Sequence, residues 1–149
     1  MQLIWEDDYI MMVCSDHKFI YVYDEDDTEE SVLLRKLTGA HESEITILRY
    51  DDHLSLMASG SVDGDVALWD FEMSKLLGIC IGHQGDITGI EFLASYPIMV
   101  TSSMDCTVCI WGVRPCPIAY KHVCLYKFTN LSWNFQKDVE TPVTKIMVL

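Results

Sequence analysis

Basic residues are scarce in this chain of 149 residues: ten Lys and Arg stand against twenty-three Asp and Glu, a formal charge of −13 with a pI near 4.5. That balance argues against a nucleic-acid partner, because phosphate contacts need clustered Lys and Arg rather than a repelling field. Long apolar runs are missing too. No stretch of about 18 apolar residues exists to cross a bilayer, and the opening MQLIWEDDYI has neither the basic region nor the apolar core of a secretory signal. The expectation is an intracellular, cytoplasmic protein without membrane contact. No segment longer than about ten residues shows helical apolar spacing, so helix should be nearly absent. The motifs GxSxG, HExxH and GxxxxGKS/T do not occur, which removes the usual sequence support for a hydrolase, a metalloprotease or a phosphate-binding loop.

What is present suffices for a core. Half of the residues are apolar and 11% are aromatic, ample for one ordinary domain of this length. Charge is unevenly spread: residues 113–149 hold Arg114, Lys121, Lys127, Lys137 and Lys145 against Asp138 and Glu140, a balance of +3 that leaves −16 on residues 1–112. The densest acidic stretch, DEDDTEE (24–30), is no EF-hand, since positions 6 and 12 of such a loop would be Glu29 and Arg35 instead of Gly and Glu. It reads as a solvated loop. Six cysteines without a secretory signal point to reduced thiols. Cys106-x-x-Cys109, followed by Cys116 and Cys124, invites a zinc reading, but the gaps do not suit a ribbon, and Cys106 takes a turn position while Cys109 takes a strand position. Neither a metal nor another cofactor is expected.

The chain repeats itself. Laid over IGHQGDITGIEF (81–92), GAHESEITILRY (39–50) matches His41 with His83, Ile45 with Ile87 and Tyr50 with Phe92, each pair 42 residues apart, and Trp69 and Trp111 differ by the same 42. In both units the histidine precedes its tryptophan by 28 residues, and an aspartate, Asp63 or Asp105, precedes it by six. Landmarks phased in this way are hard to produce by chance. A third, degenerate copy, VCSDHKFIYVYD (13–24), offers Tyr23-Asp24 in place of Trp-Asp, with Asp16 seven residues ahead of Tyr23. Within one unit ITILRY, SLMASGS, DVALWD and KLLGICI are short apolar or alternating runs parted by turn residues, which predicts four antiparallel strands. Asp63-Gly64 is a favoured hairpin step, because Gly accepts positive φ without steric cost.

These landmarks resemble the WD40-repeat family of β-propellers, with Ala40-His41 and Gly82-His83 at its Gly-His signature and Trp69-Asp70 and Trp111-Gly112 at its Trp-Asp signature. The resemblance implies an all-β fold of about three blades, an incomplete propeller: a degenerate blade over 1–38, blades over 39–80 and 81–128, then over 129–149 an inter-blade insertion and the first strand of a further blade. It also implies two buried hydrogen-bonded tetrads, His41, Ser59, Asp63, Trp69 and His83, Thr101, Asp105, Trp111. His83, Asp105 and Thr101 could be cast as base, orienting acid and nucleophile, yet the same trio recurs one unit earlier as His41, Asp63 and Ser59. Enzymes rarely duplicate a triad repeat by repeat, so the expected role is structural and no catalysis is expected.

After Pro115 and Pro117, YKHVCLYKF reads as an outer strand. With WGVRP and SYPIMVTSSMD, this region resembles the large WD-repeat proteins of motile cilia and flagella, the relatives with EF-hands at one end and two propellers in tandem. That implies the axoneme, a cytoskeletal setting, with tubulin or axonemal proteins as partners. The expected function is a non-catalytic protein-binding scaffold in a multi-subunit complex, the remaining blades coming from a longer chain or from a partner. The alternative is a substrate receptor or signalling adaptor that reads a peptide across the propeller top. Tubulin's surface is acidic, so Arg114, Lys121 and Lys127 are the candidate contacts, while the acidic first two thirds should face basic partners.

Overall fold

Runs of four to seven apolar or alternating residues, broken by turn residues every few positions, leave the backbone one economical way to pair its N–H and C=O groups: short antiparallel hairpins. The structure, a computed structural model, describes residues 2–6, 9–24, 32–93, 95–113 and 124–128. The regular structure among them is entirely strand. Sheet one holds β1 (Gln2–Glu6), β2 (Tyr9–Asp16), β3 (Phe19–Asp24) and β4 (Val32–Leu37) in chain order. Sheet two holds β5 (Ile45–Asp51), β6 (Leu56–Ser61), β7 (Val66–Asp70) and β8 (Lys75–Cys80). Sheet three holds β9 (Ile87–Leu93), β10 (Ile98–Ser103), β11 (Val108–Gly112) and β12 (Cys124–Phe128). The all-β expectation of propeller-like blades is therefore met. The acidic stretch after Asp24 and the anticipated further strand over 140–149 lie outside the described residues.

Register repeats as faithfully as sequence. Met12, Met57 and Met99 stand opposite Tyr23, Trp69 and Trp111. In each sheet the ladder between the third and fourth strands slips just before that aromatic, at Val22/Tyr23, Leu68/Trp69 and Ile110/Trp111. The residue left over by the slip is Leu34, Leu77 or Leu125, so each blade bends at a leucine bulge. The degenerate copy differs at its hairpin. His17 and Lys18 alone connect β2 to β3, whereas Ser61 to Asp65 and Ser103 to Thr107 lie between the last paired residues of the later hairpins. Asp16 consequently ends a strand instead of occupying a turn.

The sheets bury one another. Ile20, Val22 and Leu37 of sheet one pack with Ile45, Leu48, Met57, Ala67 and Trp69 of sheet two. The other face of sheet two, Ala58, Val66 and Leu68, packs with Ile87, Ile90, Met99, Cys109 and Trp111 of sheet three. Enclosed on both sides, β7 is buried from Val66 to Trp69, which is why it reads as a continuous apolar run. In β11 burial alternates, with Cys109 and Trp111 buried and Val108 and Ile110 half-buried. Polar ties also cross between sheets, among them the Thr46 hydroxyl of β5, which donates to the Ile87 carbonyl of β9 at 2.6 Å. Arg35 donates to the carbonyl of Phe71 at 2.7 Å and lies 4.9 Å over its ring, and Arg49 meets Glu91, its counterpart one repeat on, at 2.7 Å.

Candidate functional site: two histidine networks

The turns joining β6 to β7 and β10 to β11 meet the loops that lead into β5 and β9, and a histidine is buried at each meeting. In sheet three the indole N–H of Trp111 donates to Thr101 Oγ1 at 2.8 Å, and Thr101 Oγ1 lies 2.8 Å from His83 Nε2. His83 Nδ1 faces Thr107 Oγ1 at 2.8 Å and Asp105 Oδ2 at 3.2 Å. One proton arrangement satisfies every group. The Thr107 hydroxyl is committed to Asp105 at 2.5 Å, so it accepts from Nδ1–H, and Thr101 donates to Nε2 while accepting from the indole. Burial works to raise the pKa of Asp105, but the Thr107 hydroxyl, the Gln84 backbone N–H and the His83 ring outweigh it and hold the carboxyl at about 2.

Sheet two begins the same way and stops halfway. Trp69 Nε1 donates to Ser59 Oγ at 2.9 Å, and Ser59 Oγ lies 2.6 Å from His41 Nε2. His41 Nδ1, buried, has no hydrogen-bond partner. Asp63 was the expected acceptor. It instead accepts from the hydroxyls of Ser61 and Ser43, which pull its pKa below the usual value against the raising effect of burial. The physical reason sits two residues on. Where sheet three has Thr107, whose hydroxyl steadies Asp105, sheet two has Asp65, which cannot donate when ionised and repels its neighbour. Burial and the charge of Asp63 both push the Asp65 carboxyl up. The serine that reaches Asp63 from the loop, Ser43, corresponds to Gly85, whose carbonyl takes the Ser103 hydroxyl at 2.8 Å. Burial lowers the pKa of His41, so the ring is held neutral with its Nδ1 hydrogen unused.

A substitution checks this account. Asp65→Thr supplies the acceptor that His41 lacks and removes the carboxylate pair, and it is expected to stabilise the chain by about 1–2 kcal/mol in urea unfolding. A loss of stability would show that the unpaired nitrogen is not what separates the two networks. Thr107 is the member that landmark matching missed. Its signal was legible as Asp-x-Thr at 105–107 against Asp-x-Asp at 63–65.

The other candidates are placed as follows. Cys106 occupies the turn with a left-handed φ of 64°, and Cys109 lies in β11 with its sulfur 4.0 Å from His83 Nδ1. Among the described residues no three His, Cys, Asp or Glu side chains converge as metal ligands. Lys127 is in β12, opposite Cys109 in the ladder, while Arg114 and Lys121 lie outside the described residues.

Comparison with known proteins agrees with the fold. The sequence pattern described as WD domain, G-beta repeat, matches residues 31–70 and 74–112. Mitochondrial division protein 1 of Candida glabrata is 34% identical over 82 residues, 54% of this chain and 12% of that protein. Apoptotic protease-activating factor 1 of Danio rerio is 30% identical over 107 residues, 72% of this chain and 8% of the relative. The chain thus spans a small part of these relatives' length. Among solved structures, the computationally designed protein Ika8 superposes with a TM-score of 0.67 at 25% identity, covering 99% of this chain and 39% of that one. A chain of a mitotic checkpoint complex does so with 0.64 at 21% identity, over 86% of this chain and 36% of its own, a likeness of fold alone. With matching repeats over more than half of its residues, and sheets that pair in the order of the repeat, the chain belongs to the WD40-repeat family.

Proposed function

We propose that the chain is part of a non-catalytic protein-binding scaffold, and that the assembly it serves is the axoneme of motile cilia, a cytoskeletal setting within the cytoplasm. The observation that carries the first half is the repetition of the histidine network. His83, Thr101 and Trp111 recur one sheet earlier as His41, Ser59 and Trp69, in the same order and with each histidine buried, which suits a device that fastens turns to loops. Sheets held this way present their loops on a rigid base, the property a docking surface needs. The second half is supported by the resemblance of SYPIMVTSSMD, WGVRP and the YKHVCLYKF strand to the ciliary WD-repeat proteins. The far face of sheet three carries Val100, Val108 and Ile110, half-buried, at the positions where Ala58, Val66 and Leu68 of sheet two receive the following sheet. Further blades, from a longer chain or from a partner, fit that face.

Tubulin contact would fall to Arg114, Lys121 and Lys127 in the basic last third. In co-sedimentation with microtubules, charge reversal at all three is expected to cut binding about tenfold and to flatten its salt dependence. Unchanged binding would remove tubulin as the partner. A second reading, a receptor or adaptor that captures a short peptide, is favoured by the acidic loops beside the histidine networks.

A further inference from the structure

Among the described residues, two sheet faces have no other sheet against them. Ile20 and Val22 of β3 pack toward sheet two, so the alternate residues Phe19, Tyr21 and Tyr23 lie on the opposite face of sheet one. Tyr23 stands where Trp69 and Trp111 stand, and Tyr21 where Ala67 and Cys109 stand. Those four interior residues are buried against the preceding sheet, whereas Tyr21 and Tyr23 are half-buried and Leu33, paired with Tyr23, is 49% exposed. At the other end, Val100, Val108 and Ile110 of sheet three are half-buried where Ala58, Val66 and Leu68 are fully buried against the following sheet.

Both faces carry residues suited to burial. Val108 and Ile110 repeat the residue types of Ile20 and Val22, which sheet two covers. On sheet one the Tyr21 and Tyr23 rings stack at 6.4 Å between centroids, and the Lys36 ammonium lies 4.0 Å from the Phe19 ring centroid, which leaves an open strip from Tyr21 through Tyr23 to Leu33. Contiguous apolar surface of this kind marks a contact site. The two faces are unlike, and they are the leading and trailing halves of a contact that the molecule already makes twice, between sheets one and two and between sheets two and three. A contact of unlike halves either closes into a ring or runs on as a filament. Propellers close with about four to eight blades. The three described sheets are too few in one copy and would be nine in three copies, whereas two copies supply six.

We propose that two copies of this chain complete one ring of six sheets, Val100, Val108 and Ile110 of each copy seated on Tyr21, Tyr23 and Leu33 of the other. The pairing covers both open faces of both copies at once, and it reuses the packing already present between successive sheets. Each copy carries a formal charge of −13, so long-range repulsion opposes the apolar contact. Added salt screens that repulsion and should tighten the pair, the reverse of what a contact with acidic tubulin would show. This inference rests on the reading that further blades cover sheet three, and it names a second copy as their source.

Sedimentation velocity of the whole chain at micromolar concentration is expected to give twice its mass of 17.1 kDa. Ile110→Lys spoils one face and Tyr23→Lys the other, and each should weaken pairing about a hundredfold by placing an unpaired ammonium in the contact. The milder Ile110→Ser and Tyr23→Ser should each weaken it about tenfold in chains that keep the parent's urea midpoint. Mixed in equal amounts, the Ile110 and Tyr23 variants should recover the doubled mass, because the intact face of one fits the intact face of the other. Two like faces meeting would behave differently, since only one of the two substitutions would then matter. A monomer, a ladder of ever larger species, a pair that loosens with salt, or serine variants that fail to complement would each overturn the proposal. A monomer would leave both faces to blades of another chain, and the scaffold reading, which stands or falls on capture of folded partners, would be untouched.

Discussion

Trp111→Ala is expected to cost about 3–5 kcal/mol, a large share of the stability of any domain this size, and to broaden or abolish cooperative urea unfolding. The indole is 1% exposed, wedged between sheets among Ala58, Val66, Leu68, Ile87 and Met99. A Cβ on Gly82 would already touch the ring at 3.1 Å, so the cavity left by truncation has close-packed walls on that side. The deletion also removes the donor that fills Thr101 Oγ1, at 2.8 Å, at the head of the network. Trp111→Phe separates the two effects. An aromatic ring stays in place while the N–H and three ring atoms are lost, for which about 1–3 kcal/mol is expected. Should both variants unfold at the urea midpoint of the parent, the tryptophan is not the fastening between sheets two and three.

Gly64→Ala is the second large effect, about 2–4 kcal/mol, combining a left-handed backbone with an overpacked contact. Gly64 has a φ of 92°, and the added methyl would come within 2.8 Å of the His83 carbonyl oxygen and 2.9 Å of its carbon. Those are backbone atoms of the neighbouring loop and cannot swing aside. The equivalent residue in sheet three is Cys106, which holds a φ of 64° with a side chain present. Cys106→Gly is therefore expected to lie within about 1 kcal/mol of the parent, relief of strain being offset by the freedom gained in the unfolded chain. Thermal and urea unfolding of both variants decide the point. Comparable destabilisation by the two would mean that contact with His83 plays no part.

The architecture was legible because its signals are local and repeated. Every strand of sheet two falls within a residue of its apolar run, from ITILRY to KLLGICI, and Asp63-Gly64 forms the turn that positive φ at glycine allows. The indole-to-hydroxyl-to-histidine halves of both networks are what the resemblance to the WD40-repeat family implied once the phased landmarks were placed. What spacing could not convey is the difference between the two turns. Asp63 and Asp105 occupy the same phase, and only the chemistry of Asp65 against Thr107, with Ser43 against Gly85, decides which carboxylate reaches its histidine. The leucine bulges escaped for another reason. Leu34, Leu77 and Leu125 are not evenly spaced along the chain, and a bulge is defined by its partner strand and not by its own sequence.

The matched repeats and the sheets are out of step: residues 31–70 contain β4 with β5, β6 and β7, and residues 74–112 contain β8 with β9, β10 and β11. Each unit therefore donates its leading strand to the sheet before and borrows the trailing strand of its own sheet from the unit after, like overlapping roof tiles. Excising or duplicating a whole unit would leave no sheet short of a strand, because the tile that moves up carries the missing lath with it. Growth or shrinkage of such an array can thus proceed in whole tiles without ever passing through an unsealed seam.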